Sequence, residues 1–490
     1  MIHLAIFLIS QLLFFTMLPA DECPKLTGRA VLPGQKEFDQ SRLNSNYYSS
    51  KNSYPDAIVY CKSTQEVQNA VKWALCKKVP VKIRSGGHNH EGFSTGKGLV
   101  IDVSEMKKVE VNRTTNIATV QPGITGGELY HSLYREGLTQ VGGTCADVGI
   151  SGLVLTGGMG PLLRRYGLTC DTLIAFEMVN AKGEAITVTK DNEYKDLFWA
   201  CRGGGGGNFG VVTSLVLQTY PVKKVTWFNI GWDWEQPVEE VFETWQKLFA
   251  PADKKWFSHL DMWSKQFPTE KLKQHPVKVL GVYYGTPEEA KKDLEPFLKI
   301  GQPKAYAIEL VDWVQAIKGF EDATAVFLTD KPEYKSSGAY AMQPLPKEAV
   351  KIIVDTLQNS SLPLLNVLFF SMGGTSADIA PTDSAYFYRK ATFFLDYSVQ
   401  WLQPAEDQKH IAELDALRTK LLPYTEGDYI GNPDRSLKDY LKAYFGDNVE
   451  RLRQVKQKYD PHNLFQFEQS IPPRQEEESV KLSSSHPIGS

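Results

Sequence analysis

The chain has few cysteines and histidines, and beyond residue 20 it has no hydrophobic run long enough to cross a bilayer. Its six cysteines among 490 residues are too few for a fold held together mainly by disulfides. Lysine and arginine (54) nearly balance aspartate and glutamate (57), and no long basic stripe occurs. We therefore expect no nucleic-acid partner. A hydrophobic content of 42% and a charged content of 23% exclude bulk disorder.

Residues 1–20 are the one long apolar stretch, and they end in Pro19-Ala20 before the acidic pair Asp21-Glu22. The run is short for a membrane span, and no stop-transfer charges follow it. It therefore predicts a signal peptide cleaved near Ala20. We expect a secreted or periplasmic protein with no membrane attachment after cleavage.

The cysteines allow more than one arrangement. Cys76, Cys170 and Cys201 lie among apolar neighbours, which predicts buried free thiols. Two disulfide alternatives stay open, Cys61 with Cys76 or Cys23 with another cysteine.

The length favours two or more structural units. Residues 54–222 alternate between short β-branched runs, helical patterns and glycine-rich turns, which indicates an α+β domain. Residues 223–424 combine long strands with amphipathic helices and predict a second domain with an antiparallel sheet backed by helices. Residues 425–473 form a separate segment rich in Tyr, Asn and Pro, and 474–490 form a polar tail that we expect to be disordered.

Three glycine-rich motifs are candidates for a binding site. The first follows a predicted strand at residues 79–84 and reads Arg84-Ser85-Gly86-Gly87-His88-Asn89. Paired glycines after a strand expose successive backbone N–H groups, which can hold a pyrophosphate without a cationic side chain. The alternative is an ordinary tight turn.

The second motif contains seven glycines within residues 140–160 and carries Cys145. Glycines leave room for the backbone to lie close to a flat or charged group. A cysteine on such a loop is placed for reaction rather than for packing. The alternative is a turn-rich structural segment.

The third motif runs from Arg202 through five glycines to Asn208, Phe209 and Gly210. Residues 205–210 match the dinucleotide pattern G-x-G-x-x-G, which must follow a strand and open a helix. Residues 211–217 instead predict a strand. We therefore reject a Rossmann-type NAD site.

Taken together, these motifs resemble the FAD-linked oxidases of the berberine bridge enzyme-like group. The matching stretches are R-S-G-G-H, G-G-T-C-A-D-V-G-x-x-G, R-G-G-G-G-G-N-F-G-V-V-T and, near the C terminus, Y-F-G, K-Y-D-P-H-N-L-F and Q-S-I-P. The similarity covers residues 54–222 and 384–473. Each motif alone is weak, and their common order carries the resemblance.

The resemblance implies a vanillyl-alcohol-oxidase-type fold with a PCMH-type FAD-binding domain. His88 stands where the family bonds a histidine to the flavin 8-methyl carbon, and Cys145 where a thiolate bonds to flavin C6, so a bicovalent FAD is expected. Val148 matches a position that controls oxygen access, and valine there is associated with oxidases. Further implied cofactor-binding residues are Arg84, Ser85, Gly86, Gly87, Asn89, Gly142, Thr144, Gly149, Gly152, Gly158, Asn208, Gly210, Val211 and Asn463. A metal pair at His88 and His90 is the rival, but suitable acidic or cysteine ligands are missing nearby, so no metal is expected.

Asp396 is the first candidate for acid–base chemistry. It lies in a predicted strand at 388–401, on the same side as Phe394 and Ser398, and it interrupts an apolar stretch. A carboxylate there must be paired or functional, because burying it alone is costly. The family carries an acid or an amide at this position beside the substrate. The alternative is an ion pair with Arg389 or Lys390.

Tyr429 is the second candidate, because residues 427–434 resemble the loop in which carbohydrate oxidases place a catalytic tyrosine. The resemblance implies that Tyr429 removes a proton from a substrate hydroxyl while hydride passes to flavin N5. A tyrosine base near neutrality requires a pKa lowered from about 10, and Asp396 is the expected hydrogen-bond partner. The alternative is that Tyr429 only caps a loop. His90 departs from the tyrosine that sugar oxidases often have at its position.

The predicted activity is the oxidation of a small-molecule alcohol with O2 as acceptor and H2O2 as product. The expected substrate is a sugar or oligosaccharide oxidised at the anomeric carbon to a lactone. Two alternatives are an oxidase of an alkaloid, phenolic alcohol or other secondary metabolite, and a flavin-binding protein with negligible turnover. Late tryptophans are candidate stacking platforms for sugar rings, at most one or two of them in the groove: Trp232, Trp234, Trp263, Trp313 and Trp401.

Overall fold

The computed structural model describes residues 23–222, 224–251, 253–272, 274–324, 333–401 and 403–474. The predicted signal peptide, 1–20, and residues 475–490 of the predicted tail lie outside the described residues. The strands, in chain order, are β1 (Arg29–Val31), β2 (Ala57–Tyr60), β3 (Val81–Arg84), β4 (Leu99–Asp102), β5 (Val109–Asn112), β6 (Ile117–Val120), β7 (Leu138–Thr139), β8 (Leu173–Val179), β9 (Ala185–Thr189), β10 (Val211–Gln218), β11 (Tyr220–Pro221), β12 (Lys224–Trp232), β13 (Trp256–Trp263), β14 (Val277–Tyr283), β15 (Ala305–Asp312), β16 (Glu333–Ala341), β17 (Leu365–Ser371) and β18 (Phe393–Trp401).

Helices connect these strands and cover their faces. They are α1 (Phe38–Ser41), α2 (Tyr47–Ser50), α3 (Thr64–Lys77), α4 (Gly126–Tyr134), α5 (Ile150–Thr156), α6 (Leu163–Tyr166), α7 (Lys195–Ala200), α8 (Val238–Phe249), α9 (Thr269–Leu272), α10 (Pro287–Asp293), α11 (Glu295–Leu298), α12 (Trp313–Thr324), α13 (Lys347–Asn359), α14 (Thr375–Asp378), α15 (Asp407–Leu421), α16 (Tyr440–Phe445) and α17 (Val449–Tyr459). In the parts of the chain that the structure describes, no helix is both long and apolar enough to span a membrane.

Helix α3 shows how local sequence sets the first sheet. The Ser63 side chain accepts a hydrogen bond from the Glu66 backbone N–H, which satisfies one of the free amides of the first turn. Val67, Val71 and their neighbours at helical spacing are buried. The helix ends where Lys78 takes a left-handed conformation (φ 54°). It therefore packs one apolar face on the sheet and returns the chain to a parallel strand.

The first sheet has the order β1-β2-β4-β3, with β2, β4 and β3 parallel and β1 antiparallel to β2. Because β3 ends at Arg84, the first glycine motif leaves the sheet at the carboxyl ends of its parallel strands. Ligands bind at this kind of edge in many α/β proteins.

The second sheet is antiparallel, with the order β5-β6-β10-β8-β9. Strand β10 begins at Val211, directly after the third glycine motif. The glycines thus open a strand rather than a helix, which confirms the rejection of a Rossmann fingerprint.

The third sheet is antiparallel and has the order β15-β12-β14-β13-β17-β18-β16. Helices α8, α13 and α15 cover one face, where Trp245, Phe369 and Leu417 belong to one continuous apolar core. The mixture of parallel and antiparallel sheets with helices confirms the predicted α+β class.

The C-terminal segment packs back on the first two sheets. Ile430 and Leu452 share a core with Leu215 of β10, and Phe465 forms a bridge with Val81 of β3. Lys456, fully buried, donates to the backbone carbonyl of Asn208 at 2.7 Å. This segment therefore completes the core around the glycine motifs.

A disulfide joins Cys23 to Cys76. The prediction of a buried free thiol at Cys76 is wrong, because Cys76 lies on the exposed side of α3 and is bonded to Cys23. Of the two disulfide alternatives, Cys23 with another cysteine is therefore confirmed, and Cys61 with Cys76 is excluded because Cys76 is bonded to Cys23. Cys61, Cys170 and Cys201 are free and buried.

Candidate active site

A cavity of about 770 Å³ lies between the glycine motifs and the face of the third sheet opposite α8, α13 and α15. Its volume falls within the range of small-molecule and cofactor sites. The first and second motifs form one wall, and β13, β16, β17 and β18 form the opposite wall. The cavity therefore joins residues that lie up to several hundred positions apart in sequence.

The backbones of the first two glycine motifs are in contact at positions where glycine has no side chain. A Cβ on Gly86 would lie 2.4 Å from the Gly149 backbone nitrogen, and one on Gly149 would lie 2.3 Å from Ser85 Oγ. Any side chain at either position would push the loops apart. Glycine is thus required for the two loops to form a continuous backbone wall.

Eleven of the predicted cofactor-binding residues line this cavity: Ser85, Gly86, Gly87, His88, Asn89, Thr144, Cys145, Val148, Gly149, Gly152 and Gly210. Both predicted catalytic residues, Asp396 and Tyr429, line it as well. The motifs that the sequence analysis singled out therefore meet at one site.

Six other predicted cofactor-binding residues do not line the cavity: Arg84, Gly142, Gly158, Asn208, Val211 and Asn463. Arg84 is buried and donates from Nε to Asp102 at 2.5 Å. The fully buried Val211 packs in the core of the first sheet. Both residues have contacts within the protein, and their roles in cofactor binding stay predictions.

The remaining four residues likewise have contacts with other protein groups rather than with the cavity. The Asn208 side chain donates to the Gly204 carbonyl and accepts from the Ile471 N–H, which ties the third glycine motif to the C-terminal segment. Asn463 forms a turn with φ 52°, and a Cβ on Gly142 would meet Tyr130 Oη at 2.7 Å. The Gly158 N–H donates to Tyr429 Oη at 3.1 Å, so Gly158 helps to fix the position of the Tyr429 hydroxyl.

The two histidines of the first motif have different surroundings. His88 Nε2 lies 3.3 Å from Asp147 Oδ1 on the second motif. His90 Nδ1 lies 2.6 Å from Ser336 Oγ, and burial lowers the pKa of His90 to about 3. His90 is therefore neutral near pH 7. Within the described residues, no group of three or more His, Cys, Asp and Glu side chains is placed to hold a metal.

The surroundings of Cys145 favour the protonated thiol. Burial first, and then the negative charge of Asp147, raise the pKa of Cys145 to about 12. A thiolate is the reactive form of cysteine. The glycine-rich surroundings that suggest reactivity thus do not by themselves ionise the thiol.

Among the described residues, Asp396 has one side-chain hydrogen-bond partner, Asn432. Burial raises its pKa to about 7, against the opposing effect of a hydrogen bond from the Asn432 side chain. Its Oδ1 is buried without a hydrogen-bond partner. The proposed ion pair with Arg389 is not formed, because Arg389 binds Asp171 in a bidentate pair. Asp396 is therefore a carboxyl group that can exchange a proton near neutral pH.

Tyr429 has other partners than the predicted one. Its hydroxyl lies 3.1 Å from Thr156 Oγ1 and accepts from the Gly158 N–H at 3.1 Å. The predicted hydrogen bond to Asp396 is replaced by these contacts. Burial raises the pKa of Tyr429 to about 12, so the lowered pKa that a tyrosine base requires is not found.

A row of polar side chains crosses the sheet wall of the cavity. Trp263, Asn366, Ser398 and Ser336 occupy paired register positions on β13, β17, β18 and β16, and all four line the cavity. The adjacent row pairs Leu368 with Asp396. Of the five named tryptophans, only Trp263 lines the cavity, in agreement with the expected one or two.

Sequence reasoning missed several of these residues. Asp147, Thr156 and Asn432 each contact a predicted functional residue. Asp147 lies within the second glycine motif and Asn432 within the loop at residues 427–434, so their positions in the sequence could have identified them as site residues. Asn366 and Ser336 offered none, because a polar residue on a strand cannot be assigned to a site without the register of the sheet.

The residues around the cavity fit FAD. The glycine wall presents backbone where a Cβ would intrude, and paired N–H groups of this kind hold phosphates without a cation. His88, Cys145 and Asp396 line the same space. Fold and site together define an FAD-binding oxidoreductase.

Comparisons with known proteins also indicate an FAD-binding oxidoreductase. A family model described as an FAD binding domain matches residues 55–189, and one described as berberine and berberine like matches residues 428–472. YgaK of Bacillus subtilis, an FAD-linked oxidoreductase, is 39% identical over 92% of this chain and 98% of its own length. This chain therefore belongs to the berberine bridge enzyme-like family of FAD-linked oxidoreductases.

Solved structures show the same fold. BBE-like 1 of Physcomitrella patens aligns with a TM-score of 0.83 at 24% identity, over 92% of this chain and 98% of its own. A chitooligosaccharide oxidase aligns with a TM-score of 0.79 at 25% identity, over 91% of this chain and 98% of its own.

Proposed function

We propose that this enzyme is a secreted or periplasmic oxidase that oxidises a sugar or oligosaccharide at the anomeric carbon to a lactone. It transfers the electrons to O2 and forms H2O2. The observation that carries the substrate class is the polar row of Trp263, Asn366, Ser398 and Ser336 beside Asp396. The Ser398 hydroxyl and the uncharged Asn366 side chain, whose amide also donates to Asp261 at 2.6 Å, suit the hydroxyls of a sugar ring. The structural similarity to a chitooligosaccharide oxidase supports this class.

Asp396 is the group that we assign as general base. Its pKa of about 7 leaves a large ionised fraction at neutral pH, whereas Tyr429, with a pKa raised to about 12, stays protonated. Bound FAD supplies the acceptor for the hydride and the route to O2. Asp396 removes the hydroxyl proton with its carboxylate, and the Tyr429 hydroxyl orients the substrate oxygen.

His88 and Cys145 hold the FAD covalently in this proposal, and the glycine wall of Gly86 and Gly149 receives its phosphates. Support comes from the position of both side chains in one cavity. Val148, on the same wall, leaves space for O2, since its side chain is small. The protonated state of Cys145 makes its bond the slower of the two.

One feature favours a second candidate, an aromatic alcohol or alkaloid. Phe370, Phe394 and Leu368 line the cavity next to Asp396, and they offer an apolar surface to a ring without hydroxyls. A sugar would contact the polar row of the cavity wall, whereas an aromatic substrate would contact these apolar side chains.

Export is proposed on two grounds. The first is the leader predicted at residues 1–20. The second is the disulfide between Cys23 and Cys76, since disulfides persist in oxidising compartments. N-terminal sequencing of the exported chain should begin within a few residues of Ala20. Protein retained inside the cell with an intact leader would contradict export.

The activity is tested by peroxide release across a panel of sugars and aromatic alcohols. Sugars should give peroxide, and Asn366→Ala should weaken sugar turnover while sparing any aromatic alcohol. Asp396→Asn should slow substrate-dependent flavin reduction by about 10²–10⁴-fold, and Tyr429→Phe should slow it less. Tyr388→Phe, a buried tyrosine outside the cavity, is the matched control. Turnover of aromatic alcohols alone would favour the second candidate.

A further inference from the structure

We propose that Asp147 prepares His88 for its bond to FAD and restrains Cys145, so that the histidine bond forms first. The proposal rests on the covalent attachment put forward above. Asp147 lies on the second glycine motif, two residues after Cys145, and its Oδ1 is 3.3 Å from His88 Nε2. One carboxylate therefore stands next to both attachment residues.

The contact selects the reacting nitrogen of His88. A carboxylate beside Nε2 holds the proton on that nitrogen, which leaves the Nδ1 lone pair as the nucleophile. The hydrogen bond from His88 also lowers the pKa of Asp147. The carboxylate is thus ionised and able to accept the Nε2 proton when the ring is substituted.

The other histidine of the motif is not available for this reaction. His90 Nδ1 contacts Ser336 Oγ at 2.6 Å, and the His90 ring lies against Tyr334, with centroids 5.2 Å apart. The centroids of the two histidine rings are 5.7 Å apart. Asp147 therefore acts on His88 and leaves His90 as a neutral wall residue.

The attachment step balances with O2 as oxidant. The bond between Nδ1 and the 8-methyl carbon forms, one C–H bond of the methyl group breaks, and the imidazole loses its Nε2 proton to Asp147. The two electrons and two protons removed in this step reduce O2 to H2O2. No other co-reactant is needed.

The same carboxylate has the opposite effect on Cys145. Its negative charge disfavours a neighbouring thiolate, in the same direction as the burial of the thiol. Removal of the Asp147 charge should therefore slow attachment at His88 and leave attachment at Cys145 unchanged or faster. A residue that only shaped the loop would slow both.

Single-attachment variants separate the two bonds. Full-length Cys145→Ala can bond FAD only through His88, and full-length His88→Ala only through Cys145. Each is produced in a riboflavin-limited host, mixed with FAD in air, and sampled into acid. The flavin that stays with the precipitated chain is read by absorbance and by chain mass, with and without Asp147→Asn.

We expect Asp147→Asn to slow attachment in the Cys145→Ala chain by at least about tenfold, with no slowing in the His88→Ala chain. Asp322→Asn, which removes another carboxylate from the cavity lining, should change neither rate. FAD binding before attachment, read by fluorescence quenching, should be equal with and without Asp147→Asn in each single-attachment background.

Equal slowing of both bonds, or no slowing at His88, would overturn the role of Asp147 while leaving covalent attachment intact. A Cys145→Ala chain that releases all of its flavin in acid would instead refute the His88 bond itself. The two failures are therefore distinguishable.

Discussion

The hydrogen bond from Asn432 to Asp396 offers the sharpest test of the assigned base. Asn432→Leu removes the side-chain donor that lowers the pKa of this carboxyl group. Asp396 Oδ1 already lacks a partner, so nothing replaces the lost bond. The variant should therefore need a higher pH to ionise its base.

The expected change follows from the energy of one charge-assisted hydrogen bond. Such a bond contributes about 1.5–3 kcal/mol, and one pKa unit corresponds to about 1.4 kcal/mol. The pKa of Asp396 should rise from about 7 to about 8–9 in the variant. A base works when deprotonated, so the rate of flavin reduction should rise with pH through these values and then level off.

The assay is anaerobic stopped-flow reduction of the bound flavin over a range of pH values. Wild-type enzyme should show its inflection near pH 7 and Asn432→Leu at least about one unit higher. Ser398→Ala, on the same face of β18, should change the rate but keep the wild-type inflection. An unchanged inflection in Asn432→Leu would show that Asp396 is not the base.

Three further predictions concern stability and cofactor binding. Between about pH 4 and the folded-state pKa of about 7, the folded chain binds the Asp396 proton more tightly than the unfolded chain, so wild-type stability falls as pH rises. This effect lowers the free energy of unfolding of the wild type by about 4 kcal/mol, and Asp396→Asn should not show it. The melting temperature of Asp396→Asn should therefore exceed that of the wild type at pH 8 but not at pH 4. Gly149→Ala should abolish FAD retention, because its Cβ would lie 2.4 Å from a backbone nitrogen, and the purified chain should lose its flavin absorbance. Cys76→Ser should lower unfolding free energy by about 4 kcal/mol in denaturant titration, and adding Cys23→Ser should cost nothing more.

Much of the fold follows from local patterns. The strands predicted at 79–84 and 211–217 are found as β3, Val81–Arg84, and β10, Val211–Gln218, because β-branched runs bounded by turn residues leave few alternatives. The strand predicted at 388–401 begins only at Phe393. Tyr388 and Arg389 leave the sheet because their side chains contact the C-terminal segment and Asp171, which no local pattern reveals.

The sequence by itself determined the glycine motifs, the two attachment candidates and the class of cofactor. These depend on residue identity and order, since only glycine permits the close backbone approach at Gly86 and Gly149. Only the tertiary structure decided that Tyr429 binds Thr156 rather than Asp396 and that Asp147 stands beside His88. Proton affinity depends on burial and on neighbours brought together from distant segments, and local sequence carries neither.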